Sequence, residues 1–79
     1  MSEMSEREKL QVLLAHWIEH NNGHVAECSD WLTRVGDLEE GPAAAINEAI
    51  SAFNQASEAL TKALDLMGGP PEGHHHHHH

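Results

Sequence analysis

Ten apolar residues between Leu10 and Val35 keep a single helical phase, and no other property of the chain restricts its fold as strongly. Leu10, Leu13, Leu14, Trp17, Ile18, Val25, Cys28, Trp31, Leu32 and Val35 fall within an arc about 140° wide, as a helix facing a core requires. Ser5-Glu6-Arg7-Glu8 precedes them as a capping box, so the helix is expected to begin near Glu6. Asn21-Asn22-Gly23 interrupts the pattern with weak helix formers that together cost about 2 kcal/mol relative to alanine. The apolar residues on either side occupy the same arc, which a loop of arbitrary geometry would preserve only by chance. The phase predicts one helix over residues 6–35, with a kink at Gly23. Two shorter helices are the alternative.

Gly36 supplies a C-terminal stop, Asp37-Leu38-Glu39-Glu40 an acidic connection, and Gly41-Pro42 a helix opening in which the missing proline N–H does no harm. Residues 42–67 form the second helix. Ile46, Ile50, Phe53, Leu60, Leu64 and Met67 make one stripe, with Ser57 among the core positions. Beside it runs an edge of small residues, Ala45, Ala49, Ala52, Ala56, Ala59 and Ala63, that lets another helix approach closely. No stretch reads as a strand and no repeat is present.

The fold class is therefore all-α, an antiparallel two-helix hairpin over residues 1–67. Residues 68–73 read as a flexible linker and His74 to His79 as a purification tag, which is set aside. The remaining roughly 70 residues would bury only about 60% of their unfolded surface, so a monomer is marginal. Two hairpins pairing as a homodimer, in a four-helix bundle, would cover the apolar surface that two helices leave open.

A formal charge of −9, from 13 acidic and four basic residues, argues against nucleic acid and anionic membranes as partners. A protein partner remains compatible. No apolar run approaches the roughly 20 residues of a membrane span, and Met1-Ser2-Glu3-Met4-Ser5-Glu6 is too polar for a signal peptide, so the cytoplasm is the expected compartment. A single cysteine forms no internal disulfide, which leaves Cys28 as a buried thiol, a ligand or an intermolecular cross-link.

Apart from the tag, every histidine lies in one run. His16, His20 and His24 recur at four-residue intervals and lead to Cys28 at the next. On a helix such residues form a slanting ladder along one side. Glu27, three residues beyond His24, is positioned to converge with His20 and His24 on a metal ion. His16 and Cys28 are further candidates, but all five cannot share one ion, because those two stand about 18 Å apart along the axis. On the second helix Asn54 and Glu58 lie at the right height, yet on the flank away from the ladder. The alanine edge is expected on the ladder's flank, giving the imidazoles room without ligands. The missing donors would come from a symmetry-related chain, a water or a substrate. Imidazole and thiol donors favour Zn²⁺, Ni²⁺, Co²⁺ or copper over Mg²⁺ or Ca²⁺.

Taken one at a time, a histidine at the edge of a helical core is a packing residue and a buried cysteine a small hydrophobe. Their shared period points instead to a transition-metal-binding protein acting in binding, sensing or delivery. The alternative is a metal-free helical dimerisation or interaction module, with Trp17 and Trp31 as core or interface anchors. Catalysis is not expected: no nucleophile, base and orienting group stand together, and a hairpin encloses little.

The run His16-Trp17-Ile18-Glu19-His20-Asn21-Asn22-Gly23-His24 resembles the signature of small, uncharacterised prokaryotic helical-hairpin domains. That resemblance covers the first helix and suits the chain's length. It implies a compact helical domain with a histidine-rich helix tied to transition-metal handling.

Overall fold

The computed structural model describes residues 4–71. The proposed tag, and residues 72–73 of the proposed linker, lie outside that range. Two helices make up the fold, α1 (Glu6–Arg34) and α2 (Glu40–Leu66), packed against each other as an all-α hairpin. Among the described residues there is no strand, and no helix is long and apolar enough to cross a membrane.

α1 starts where its capping box directs. The Glu8 amide donates to the Ser5 hydroxyl at 3.1 Å, and the Ser5 amide donates to the Glu8 carboxylate at 2.9 Å. The helix then runs through Asn21, Asn22 and Gly23 without a break in its assignment. Their poor propensity is overridden because the seam against α2 continues on both sides of them. α1 closes at Val35 and Gly36, the latter with φ +33, a backbone region open to glycine at little cost.

α2 begins at Glu40, two residues before the expected opening. Pro42 is thus its third residue, still within the first turn, where the backbone N–H groups have no intrahelical acceptor and a missing one costs nothing. At the other end the Gly69 amide donates to the Leu64 carbonyl (2.9 Å) and the Gly68 amide to the Asp65 carbonyl (3.0 Å). With φ +101 and +87 at the two glycines, this is a Schellman closure.

The inter-helix seam follows a three-four spacing on both helices. Gln11, Leu14, Ile18, Asn21, Val25, Cys28 and Leu32 of α1 are buried or half-buried, as are Ile46, Ile50, Phe53, Ser57, Leu60 and Leu64 of α2. Burial along the seam is shallow: Leu14 (5% exposed) and Leu64 (6%) are its buried hydrophobes, joined by Gln11 and Ser57. Gln11 ties the two ends of the hairpin together. Its side-chain amide donates to the carbonyls of Met67 (3.1 Å) and Gly69 (2.8 Å), and the Arg7 guanidinium donates to Met67 as well. Carbonyls left without partners at the end of α2 are thereby satisfied from α1.

The broad apolar arc of α1 is divided in this structure. Its inner half forms the seam, while Leu10, Leu13, Trp17, Trp31 and Val35 lie outside it at 38–58% exposure. A single neighbouring helix covers one stripe, and an arc about 140° wide exceeds it.

Candidate metal centre

The histidine ladder slants across α1 from exposed His16 and His20 to half-buried His24 and Cys28 at the seam, and the helix phase brings its middle rungs together. His20 and His24 approach with ring centroids 4.5 Å apart and planes at 90°. Their Nε2 atoms are 3.0 Å apart. One of the two must therefore hold the proton and the other offer a lone pair. Two imidazole nitrogens bound to one tetrahedral Zn²⁺ at about 2.0–2.1 Å stand about 3.3 Å from each other. The pair is within a few tenths of an ångström of that span before any ion is present.

The remaining ladder positions are placed differently. The His16 ring stacks loosely on His20, centroids 6.1 Å apart and planes at 27°. Glu27 lies on the other side of the His24 ring, its carboxylate 3.6 Å from Nδ1, which is too long for a hydrogen bond. Glu27 thus does not converge with the two Nε2 atoms on one point, and its side chain is 75% exposed. Cys28 is a free, half-buried thiol on the α1–α2 seam. Among the described residues no group of three or more His, Cys, Asp or Glu side chains is arranged to hold a metal ion. The structure brings two imidazoles together, with the other ladder side chains nearby but turned elsewhere.

α1 alone builds the walls of this site. An open hollow is lined by His16, Glu19, His20, Gly23, His24 and Glu27. Gly23 leaves the hollow unfilled, since a Cβ there would meet nothing within 4 Å. Asn54 and Glu58 line a separate groove on the opposite flank, with Ile18, Asn22, Ser57 and Thr61. In that groove the Ser57 hydroxyl is buried without a partner. α2 supplies no donor to the hollow, as the handedness of the two helices requires. It supplies a support instead: the His24 ring stacks on Phe53, centroids 5.5 Å apart and planes at 19°. That contact joins a seam residue to a ladder residue.

Two features of the site lie outside the apolar and histidine periodicities. Glu19, which periodicity assigns to solvent, also lines the hollow, and its position four residues before Gly23 was the available signal. Phe53 as a platform for His24 required the register of α2 against α1, which the sequence alone leaves open.

The profile of a family described as "Domain of unknown function (DUF8180)" matches residues 10–67. An "Uncharacterized protein" of Archaeoglobus fulgidus is 31% identical over 61 residues, covering 77% of this chain and 98% of the relative. No solved structure matches the chain.

Proposed function

Since the chain belongs to this family of unknown function, we propose from its side-chain geometry that it is a transition-metal-binding helical protein. The observation that carries the reading is the 3.0 Å approach of the His20 and His24 Nε2 atoms at the edge of an open hollow. Two imidazoles four residues apart on a rigid helix are held within chelating reach of each other, so folding has met part of the ordering cost and an ion would replace the contact between them. Their donor type favours Zn²⁺, Ni²⁺, Co²⁺ or copper. With only two protein donors at hand, other coordination positions stay open, which suits sensing or delivery better than a closed structural site. Binding rather than catalysis is the proposed role, carried out by a cytoplasmic homodimer.

Metal analysis and calorimetric titration of protein freed of residues 74–79 test this reading, since six consecutive histidines bind Ni²⁺ and Zn²⁺ by themselves. About one ion per chain is expected, with thermal stabilisation on addition. A His20→Ala, His24→Ala double variant should lose both. Undiminished binding in that variant removes the site from consideration.

A second reading, a metal-free dimerisation or interaction module, is supported by the exposure of Trp17 (41%) and Trp31 (58%) on one flank of α1. Under it the double variant associates normally and no ion is found.

A further inference from the structure

Four of the five exposed apolar residues on one flank of α1, all but Leu10, are arranged symmetrically about His24. Trp17 and Trp31 stand seven residues to either side of it, Leu13 and Val35 eleven, and all four are 38–58% exposed. The alanine edge of α2 is symmetric too, but about position 54. Ala52 and Ala56 stand two residues to either side, Ala49 and Ala59 five.

These two centres are level with each other in the hairpin. His24 stacks on Phe53, and the Gln11 bonds to Met67 and Gly69 fix the same antiparallel register farther along. The ladder flank of α1 and the alanine edge of α2 border the same face, since Asn54 and Glu58 mark the opposite one with Ile18 and Asn22. One axis perpendicular to the helices, at the height of His24, therefore maps both apolar edges of this face onto themselves. Rotation about that axis sets large apolar residues of one copy against large ones of the other and alanine against alanine, so an isologous dimer keeps both rows in register along their length.

We propose that a second copy of this chain packs on the face, α1 antiparallel to α1 and α2 antiparallel to α2. In that arrangement each His20–His24 pair receives the partner's Glu27 as its third donor. This deepens the metal-binding reading and rests on it. The height argument is direct. Helical side chains lean toward the N-terminus, so the meeting point of the two Nε2 atoms lies at about the height of residue 21. The Glu27 carboxylate leans the same way, to about the height of residue 26, two positions after His24, so the rotation carries the partner's carboxylate to the height of residue 22, within about 1.5 Å of that meeting point along the axis.

The lateral placement agrees, because His20 and Glu27 both lie on the edge of α1 away from α2 and the axis keeps that edge on one side. Glu27 is free to serve there, being 75% exposed and held by no hydrogen bond. Each dimer then has two equivalent sites, one ion per chain. Trp17 faces the partner's Trp31, and facing alanines let the two α2 helices approach closely.

The test is complementation between two variants of the full chain freed of residues 74–79, with Zn²⁺ as the probe. His20→Ala, His24→Ala removes the imidazoles, and Glu27→Gln removes the carboxylate. All three positions are exposed or half-exposed, and circular dichroism checks that each variant keeps its helices. Alone, each variant should bind Zn²⁺ at least about tenfold more weakly than the parent, as losing a direct donor costs no less than losing a supporting contact.

Mixed, they should regain a parent-like site, because the mixed dimer joins intact imidazoles on one chain to Glu27 on the other. Sedimentation velocity should show the parent as a dimer. Binding by the parent with no recovery in the mixture, or binding by a monomer, overturns the partner-supplied donor and leaves the metal reading standing. A parent dimer that binds no Zn²⁺ removes both.

Discussion

The His20 and His24 Nε2 atoms lie 3.0 Å apart with ring planes at 90°, a spacing set by one turn of α1. If the pair binds Zn²⁺ as proposed, His20→Ala and His24→Ala singly should each weaken that binding by about tenfold or more. Their effects on the metal-free fold should differ. His20 is exposed and its ring contacts the imidazoles one turn away on the same helix, so its loss should cost about 0.5 kcal/mol. His24 stacks on Phe53, and its loss should cost about 0.5–1.5 kcal/mol. Denaturant titration in the presence of chelator measures both values, and equal costs would contradict the stacking contact.

Gly23→Ala should raise stability by about 1 kcal/mol, because the residue is helical and an added methyl meets nothing within 4 Å. Thermal melts of the metal-free protein provide the measure. A loss of stability would mean that α1 bends at this point in solution.

Gln11→Ala should destabilise the hairpin by about 1–3 kcal/mol. It removes two donors at once, leaving the Met67 carbonyl to Arg7 and the Gly69 carbonyl without its partner. Amide exchange should rise first in the last turn of α2. Protection that stays unchanged there would show that water replaces the glutamine without loss.

Trp17 and Trp31 are 41% and 58% exposed in the hairpin, so a monomer should emit at the long wavelengths of wet indole. Raising the concentration through dimerisation should shift the emission to the blue as each ring leaves water. The parent emission should be compared with that of a Trp31→Phe variant, which isolates the Trp17 contribution. An emission maximum independent of concentration, across a range in which sedimentation shows association, would place both rings outside the interface.

Much of this architecture can be read directly from residue order. The capping box at Ser5 and the helical phase across Asn21-Asn22-Gly23 are local patterns, and the structure follows both. The seven-residue spacing from Ile46 to Met67 likewise becomes the α2 half of the seam. Other features depend on information that spacing lacks. Periodicity gives the width of the apolar arc on α1 but not which part α2 covers, so Leu14 and Trp17 read alike in sequence while one is buried and the other exposed. Gln11 reads as a surface residue because its acceptors, Met67 and Gly69, are more than 50 positions away. Glu27 shows the same limitation at the candidate site: the wheel places it near His20 and His24, whereas its rotamer sends it to the far side of the His24 ring.

The stacking of His24 on Phe53 has a mechanical consequence. An ion bound as proposed to the imidazole pair would pull on a ring that leans against the opposite helix, so its arrival would be transmitted as force across the seam instead of staying local to one surface. A cation carried in such a position would act as a strut between the two arms, and the stiffness of the hairpin itself would report whether the position is filled.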